Sequence, residues 1–287
     1  MRRFPHTLEA LLPALAGLAV AGLIGLAPRS APAVEGLSSG KCILPWARSL
    51  DKGTVELESA LEFSTYDHGL DNYHRVDLQG VTRDFGLGFR VTAGLTERLE
   101  MGAVFGVASS TFDSDDGDTL DESDTSLSDP ALGWKYRLLG HNHDASALAL
   151  EWGIGLPLVS EESYAVWEAG LIFTRRLIGP LSVDADGTYW VTSENSPGDP
   201  EVGANYNLGL GLELDGWTLA AELNGFWFRT RRDHLESWKI TPTAGFSYGV
   251  SDRVCFSLIG QQDVAGWGRN TELASTVQTL FTFNWES

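Results

Sequence analysis

From Thr54 onward, apolar and polar side chains alternate with a period of two, and a 3.6-residue pattern is nearly absent. In the first such run Val55, Leu57, Leu61 and Phe63 share one parity, and Glu56, Glu58 and Glu62 share the other. A second run sets Phe85, Leu87, Phe89, Val91 and Ala93 against Asp84, Gly86, Gly88 and Arg90. After the turn Gly94-Leu95-Thr96-Glu97, Leu99, Met101, Ala103 and Phe105 oppose Arg98, Glu100 and Gly102. Such alternation sets one face of a strand in an apolar phase and the other in a polar one. Continued along the chain it predicts twelve strands, the others near 127–138, 145–156, 164–176, 181–192, 202–214, 217–229, 237–248, 254–262 and 271–285.

The connections alternate in length. Short ones fall near 94–97, 139–144, 177–180, 215–216 and 249–253, and longer polar ones near 65–75, 109–126, 157–163, 193–201, 230–236 and 263–270. Short turns on one side and long loops on the other, with an even strand number, predict an antiparallel up-and-down transmembrane β-barrel whose short turns are periplasmic. The two-residue turn Asp215-Gly216 sets a register in which paired residues sum to 431. Leu208, Leu210 and Leu212 then share a face with Leu219, Ala221 and Leu223, while Asn207 and Asn224 meet on the other face. On the apolar parity, Tyr136, Trp217, Tyr248 and Trp285 lie near short turns, and Trp167, Tyr189, Trp227 and Trp238 near long loops. Two aromatic belts are what interfacial anchoring requires. Pro242 has no N–H to give a neighbouring strand, and Val76 and Leu78 are out of phase with Phe85, so bulges are expected near both places.

Composition adds an address and some exclusions. Arg2 and Arg3, the apolar run Leu11 to Leu26, and Ala31-Pro32-Ala33 form a signal peptide, residues 1–33, with cleavage expected after Ala33. Residues 34–52 are then a periplasmic N-terminal segment, and 53–287 the barrel. The chain carries 20 Lys+Arg and 39 Asp+Glu. Removing Arg2, Arg3, Arg29 and Glu9 leaves 17 and 38, a net charge of −21. That charge repels phosphate and excludes bulk electrostatic binding of nucleic acid. No run beyond the N-terminal one reaches the about 18 apolar residues of a membrane helix. A bacterial outer membrane is the expected site, with its lipid and small solutes as partners.

Three segments resemble a known family. Phe85 to Val107, with Gly94-Leu95-Thr96-Glu97-Arg98-Leu99-Glu100 at its turn, is similar to that family's "GLTDRLELG" hairpin. Ser128-Asp129-Pro130-Ala131-Leu132-Gly133-Trp134-Lys135-Tyr136-Arg137-Leu138 resembles its "GDLSLGLKYRL" strand, and Ala147 to Pro157 the following "ALALGLSVKLPTG" strand. This is the outer-membrane transporter family named for the MetA pathway of phenol degradation. The resemblance covers roughly 85–190 well and the rest by pattern only. It implies a barrel that passes aromatic or other small molecules, and no catalytic residues.

The polar parity supplies the candidate chemistry. Glu56, Glu58, Glu62, Asp84, Glu100, Glu151, Glu168, Asp184, Asp186, Glu213 and Glu222 are expected to face the lumen, against Arg90, Lys135, Arg137, Arg176 and Lys239. Arg90 and Glu100 are expected to pair across their hairpin. Two readings stand open: a cation-preferring polar pathway, or a lumen filled by charge networks with no continuous channel. Trp190, Phe226 and Phe228, apolar on this parity near the external end, either contact a solute or fill space.

Asp113, Asp115, Asp116, Asp118, Asp121, Glu122 and Asp124 crowd one external loop, as a divalent-cation site or as a solvated acidic loop. The spacing does not fit an EF-hand. His68, His74 and His234 lie in predicted long loops beside Asp67, Asp71 and Asp233, where a rim hydrolase is conceivable. His141 and His143 share a short turn, two ligands too few for a specific metal site. Cys42 and Cys255 flank the periplasmic side and form a disulfide there or stay as two separate thiols. No cofactor motif is present. The expected function is that of a channel or transporter and not of an enzyme. The alternatives are the rim hydrolase and a structural or adhesive barrel with a cation-binding acidic loop.

Overall fold

A computed structural model describes residues 47–71, 74–114, 122–141, 144–159, 165–193, 200–230, 236–251, 253–268 and 271–286. They form fourteen strand segments: β1 Thr54–Asp71, β2 His74–Gly94, β3 Leu99–Ser114, β4 Glu122–Leu127, β5 Ala131–Leu139, β6 Ser146–Gly155 and β7 Val166–Arg176. The rest are β8 Leu181–Thr192, β9 Pro200–Leu214, β10 Trp217–Thr230, β11 Glu236–Ser251, β12 Val254–Gln262, β13 Ala265–Trp267 and β14 Thr271–Glu286. Neighbours pair antiparallel around one sheet, and the β1–β14 and β10–β11 pairings close it. A closed barrel pairs every wall strand on both sides, which is what the inside of a bilayer demands.

The wall has twelve strands, because two of the segments continue others past bulges. Val104 pairs Ala131 and Val107 pairs Leu127, so three residues of one strand oppose two of β3, and β4 prolongs β5. Ile240 pairs Ala265 and Thr243 pairs Gln261, so Gln262–Val264 oppose Thr241 and Pro242, and β13 prolongs β12. The bulge expected from Pro242 therefore falls in the strand that would have needed its missing N–H. The phase break near Gly80 is a second irregularity, with Leu78–Val81 opposite Asp67.

The two-residue turn behaves as its chemistry predicts. Gly216 has φ 72°, and Leu214 pairs Trp217, Leu212 Leu219 and Asn207 Asn224. Two other connections differ from expectation. Much of 65–75 and 109–126 is strand, because β1, β2, β3 and β4 run on as ladders. Both parities are polar there, so alternation vanishes while Thr, Tyr and Phe keep a strand preference.

The burial pattern is inverted relative to a water-soluble domain. Leu208, Phe281 and Trp285 are 56%, 50% and 62% exposed, whereas Glu100 and Lys135 are 0%. The apolar parity thus forms one continuous outer band, far beyond the apolar patch a water-soluble monomer shows. At its short-turn edge Trp217 packs on Tyr248, ring centroids 4.6 Å apart.

Candidate functional site

The interior begins at the short-turn end with a buried ion pair. Lys135 Nζ lies 2.9 Å from Glu100 Oε1, and neither side chain reaches solvent. The Arg90–Glu100 pair expected from the hairpin does not form. The turn closes through Leu95 N to Leu99 O, which pairs Gly94 with Glu100 and leaves Arg90 opposite Val104. Arg90 instead meets Glu58 of the preceding strand at 2.8 Å. Glu56, one step nearer the end on the same strand, is buried as well.

Residues 47–53 cross this end. Gly53 N donates to Gly94 O, Leu50 N to Glu100 Oε2 (2.7 Å), Ser49 Oγ to Arg98 O and Ala47 N to Thr174 Oγ1 (3.1 Å). Ala47 packs in a buried apolar cluster with Ala147, Ala149 and Ile172. Arg48 donates to Asp144 O and lies in the field of Asp184, Glu213 and Arg176. The segment therefore leaves the first wall strand and arrives at the sixth, nearly opposite. Seven residues reach about 20 Å, and a ring of tilted strands about 4.8 Å apart is roughly 24 Å across at this strand number. The path is a chord across the mouth. Arg137, Asp184 and Thr174 are buried beneath it.

Further along the axis, glycines make room for carboxylates. A Cβ on Gly153 would fall 2.5 Å from Glu168 Oε1, and one on Gly170 would meet Thr188 Oγ1 at 2.5 Å and Glu151 Oε1 at 2.9 Å. Glu151 Oε1 accepts from Thr188 Oγ1 at 2.8 Å, and Glu151 and Glu168 are both buried. Around the same level Asn207 donates to Asp186 (2.7 Å), Asn224 to Thr243 (2.8 Å) and Gln278 to Glu62 (3.4 Å). Glu222 sits between Gly209 and Thr243 in the ladder.

Toward the long loops the wall turns aromatic. Trp190 and Phe226 stack at 6.2 Å, and Phe226 and Phe228 lie 5.4 Å apart. Gly203 separates Trp190 from Phe228 in the ladder, and the indole lies where its Cβ would be. The adjacent Lys239 pairs with Asp263 at 2.9 Å, and Thr241 also donates to Asp263. Asp263 is buried and lies in a segment where the sequence shows only a loop. Its neighbours Gly260 and Gly268 offer no periodic pattern that would reveal its inward turn.

The outer candidates are only partly covered by the described residues. Asp113 is ion-paired to Arg83 on β2. Glu122 and Asp124 are strand residues of β4, opposite Phe112 and Ser110. Asp115, Asp116, Asp118 and Asp121 lie outside the described residues, as do His143, Asp233 and His234. His68 and His74 belong to strands β1 and β2 and not to a loop, with His74 opposite Asp71. In the short turn, the backbone N–H of His141 donates to Asp144 at 2.7 Å and holds that carboxyl below the usual carboxylate range. Cys255 is disulfide-bonded and stands on the inward row of Thr282 and Glu58. Cys42, the other cysteine of the chain, lies outside the described residues.

Against known proteins, the comparison by sequence is silent and the comparison by shape is not. No family model matches the chain, and no curated protein matches it. An outer membrane channel from Pseudomonas putida F1 superposes with a TM-score of 0.70 at 16% identity, over 83% of this chain and 98% of that one. The fold is that of an outer-membrane β-barrel. The transport unit of the autotransporter AIDA-I from Escherichia coli superposes less closely, at TM-score 0.50 and 10% identity, over 81% of this chain and 90% of that one.

Proposed function

We propose that this protein resides in a bacterial outer membrane, after loss of a signal peptide, and passes small solutes through its barrel. One observation carries the proposal: a closed wall with a continuous apolar exterior encloses an interior of ionised and hydrogen-bonding side chains. Such an interior is of use to a polar or charged traveller and is costly otherwise. Acidic residues outnumber basic ones on the inward rows, which favours cations. The chord of residues 47–53 lies across the short-turn mouth, and its displacement is part of passage. The transporter family that the Gly94–Glu100 hairpin resembles supports aromatic molecules as the cargo.

Planar-bilayer conductance of the refolded mature protein in a salt gradient tests this. Discrete steps with cation preference are the expected result. Steps that favour anions would refute the role given to the carboxylates. A heat-modifiable, correctly folded barrel that stays silent even without residues 34–50 would refute the channel itself.

A further inference from the structure

We infer that Trp190, Phe226 and Phe228 form a binding station for organic cations, chiefly aromatic or quaternary ammonium compounds. The inference rests on the channel reading above and narrows its cargo. Three rings clustered on mostly polar inward rows are the starting observation. They belong to two strands separated by β9, and they meet because Gly203 contributes no side chain between them. The indole covers the backbone of Gly203, at the place where a Cβ would stand. Phe226 stacks beside it at an interplanar angle of 22°, and Phe228 tilts against Phe226 at 46°. All three keep partial exposure. The result is a partly exposed aromatic cluster and not a closed core.

An aromatic face is negative and attracts a large, weakly hydrated cation. The inward rows act in the same direction, since acids outnumber bases on them. Lys239 is the ladder partner of Phe226, and its charge is matched by Asp263 at 2.9 Å. An anionic aromatic would meet that acid-rich wall unfavourably. A neutral aromatic would gain the stacking and nothing from the charge.

Equilibrium dialysis on the folded barrel in detergent separates these cases without requiring conductance. The probes are benzyltrimethylammonium, benzyl alcohol and benzoate. The ammonium compound is expected to bind at least about tenfold more tightly than benzyl alcohol, with benzoate weakest. Trp190→Leu is expected to weaken ammonium binding about tenfold and benzyl alcohol binding by less. Trp190→Phe keeps a ring over Gly203 and gives an intermediate loss, and it stands in should the leucine variant fail to fold. Equal binding of benzyl alcohol and the ammonium compound would overturn the inference in favour of a plain apolar patch. Unchanged ammonium binding in a folded Trp190→Phe and Trp190→Leu pair would overturn it too. Binding by a barrel that stays silent in bilayers even without residues 34–50 would sink the channel reading and leave the station standing.

Discussion

Changing Glu100 to Gln removes one charge from a pair that no water reaches. Lys135 Nζ is 2.9 Å from Glu100 Oε1, and both side chains have zero exposure. Removing one partner of a buried pair strands the other charge and costs about 3–5 kcal/mol. The lower end of that range is taken here. The glutamine carbonyl still accepts from Leu50 N, so the chord keeps its anchor. Urea unfolding of the barrel in detergent, followed by tryptophan fluorescence, is expected to show a loss of about 3 kcal/mol for Glu100→Gln. The double variant with Lys135→Met is expected to recover most of it, with a coupling of at least about 2 kcal/mol. A loss below about 1 kcal/mol would refute the reasoning. Additive single effects would do so as well, since both results would mean that water screens the pair and that the lumen is open at this level.

Three further outcomes follow from the same interior. Gly170→Ala is expected to cost about 1–3 kcal/mol in the same assay, because its Cβ meets Gly187 O at 2.7 Å as well as Thr188 and Glu151. A wild-type-like midpoint would show that the wall yields there. Deletion of residues 34–50 is expected to raise single-channel conductance, whereas an unchanged step size would show that the chord does not obstruct passage. Peptide mapping of unreduced mature protein is expected to find a peptide crosslinking Cys42 and Cys255, which would tether the chord to the wall. Two linear peptides in its place would remove that tether.

Parts of this interior were legible in the sequence and parts were not, for identifiable reasons. Leu208, Leu210 and Leu212 announced their own face, because a lipid phase on one side of a pleated strand writes a period of two into the chain. Asp215-Gly216 announced its register, because a two-residue turn leaves a single pairing open. The Arg90–Glu100 pairing was misread since a four-residue turn admits more than one closure, and the closure that forms sets Arg90 opposite Val104, four residues from Glu100. His68 and His74 were misplaced for a related reason, since residues 65–75 are polar on both parities and carry no alternation to see.

The sequence by itself determined the barrel, its approximate strand number and the alternation of its two faces. It did so because those properties are local and periodic, and each strand states them without reference to any other. Only the tertiary structure decided which inward residues touch. Glu58 finds Arg90, Trp190 finds Phe226 across Gly203, Lys239 finds Asp263, and Ala47 finds Ile172 on the far wall. Closing a sheet into a ring brings together residues that are distant in the chain, with a stagger that depends on every bulge along the way. That sum over bulges and turns is a property of the whole wall, and no single segment of the chain contains it.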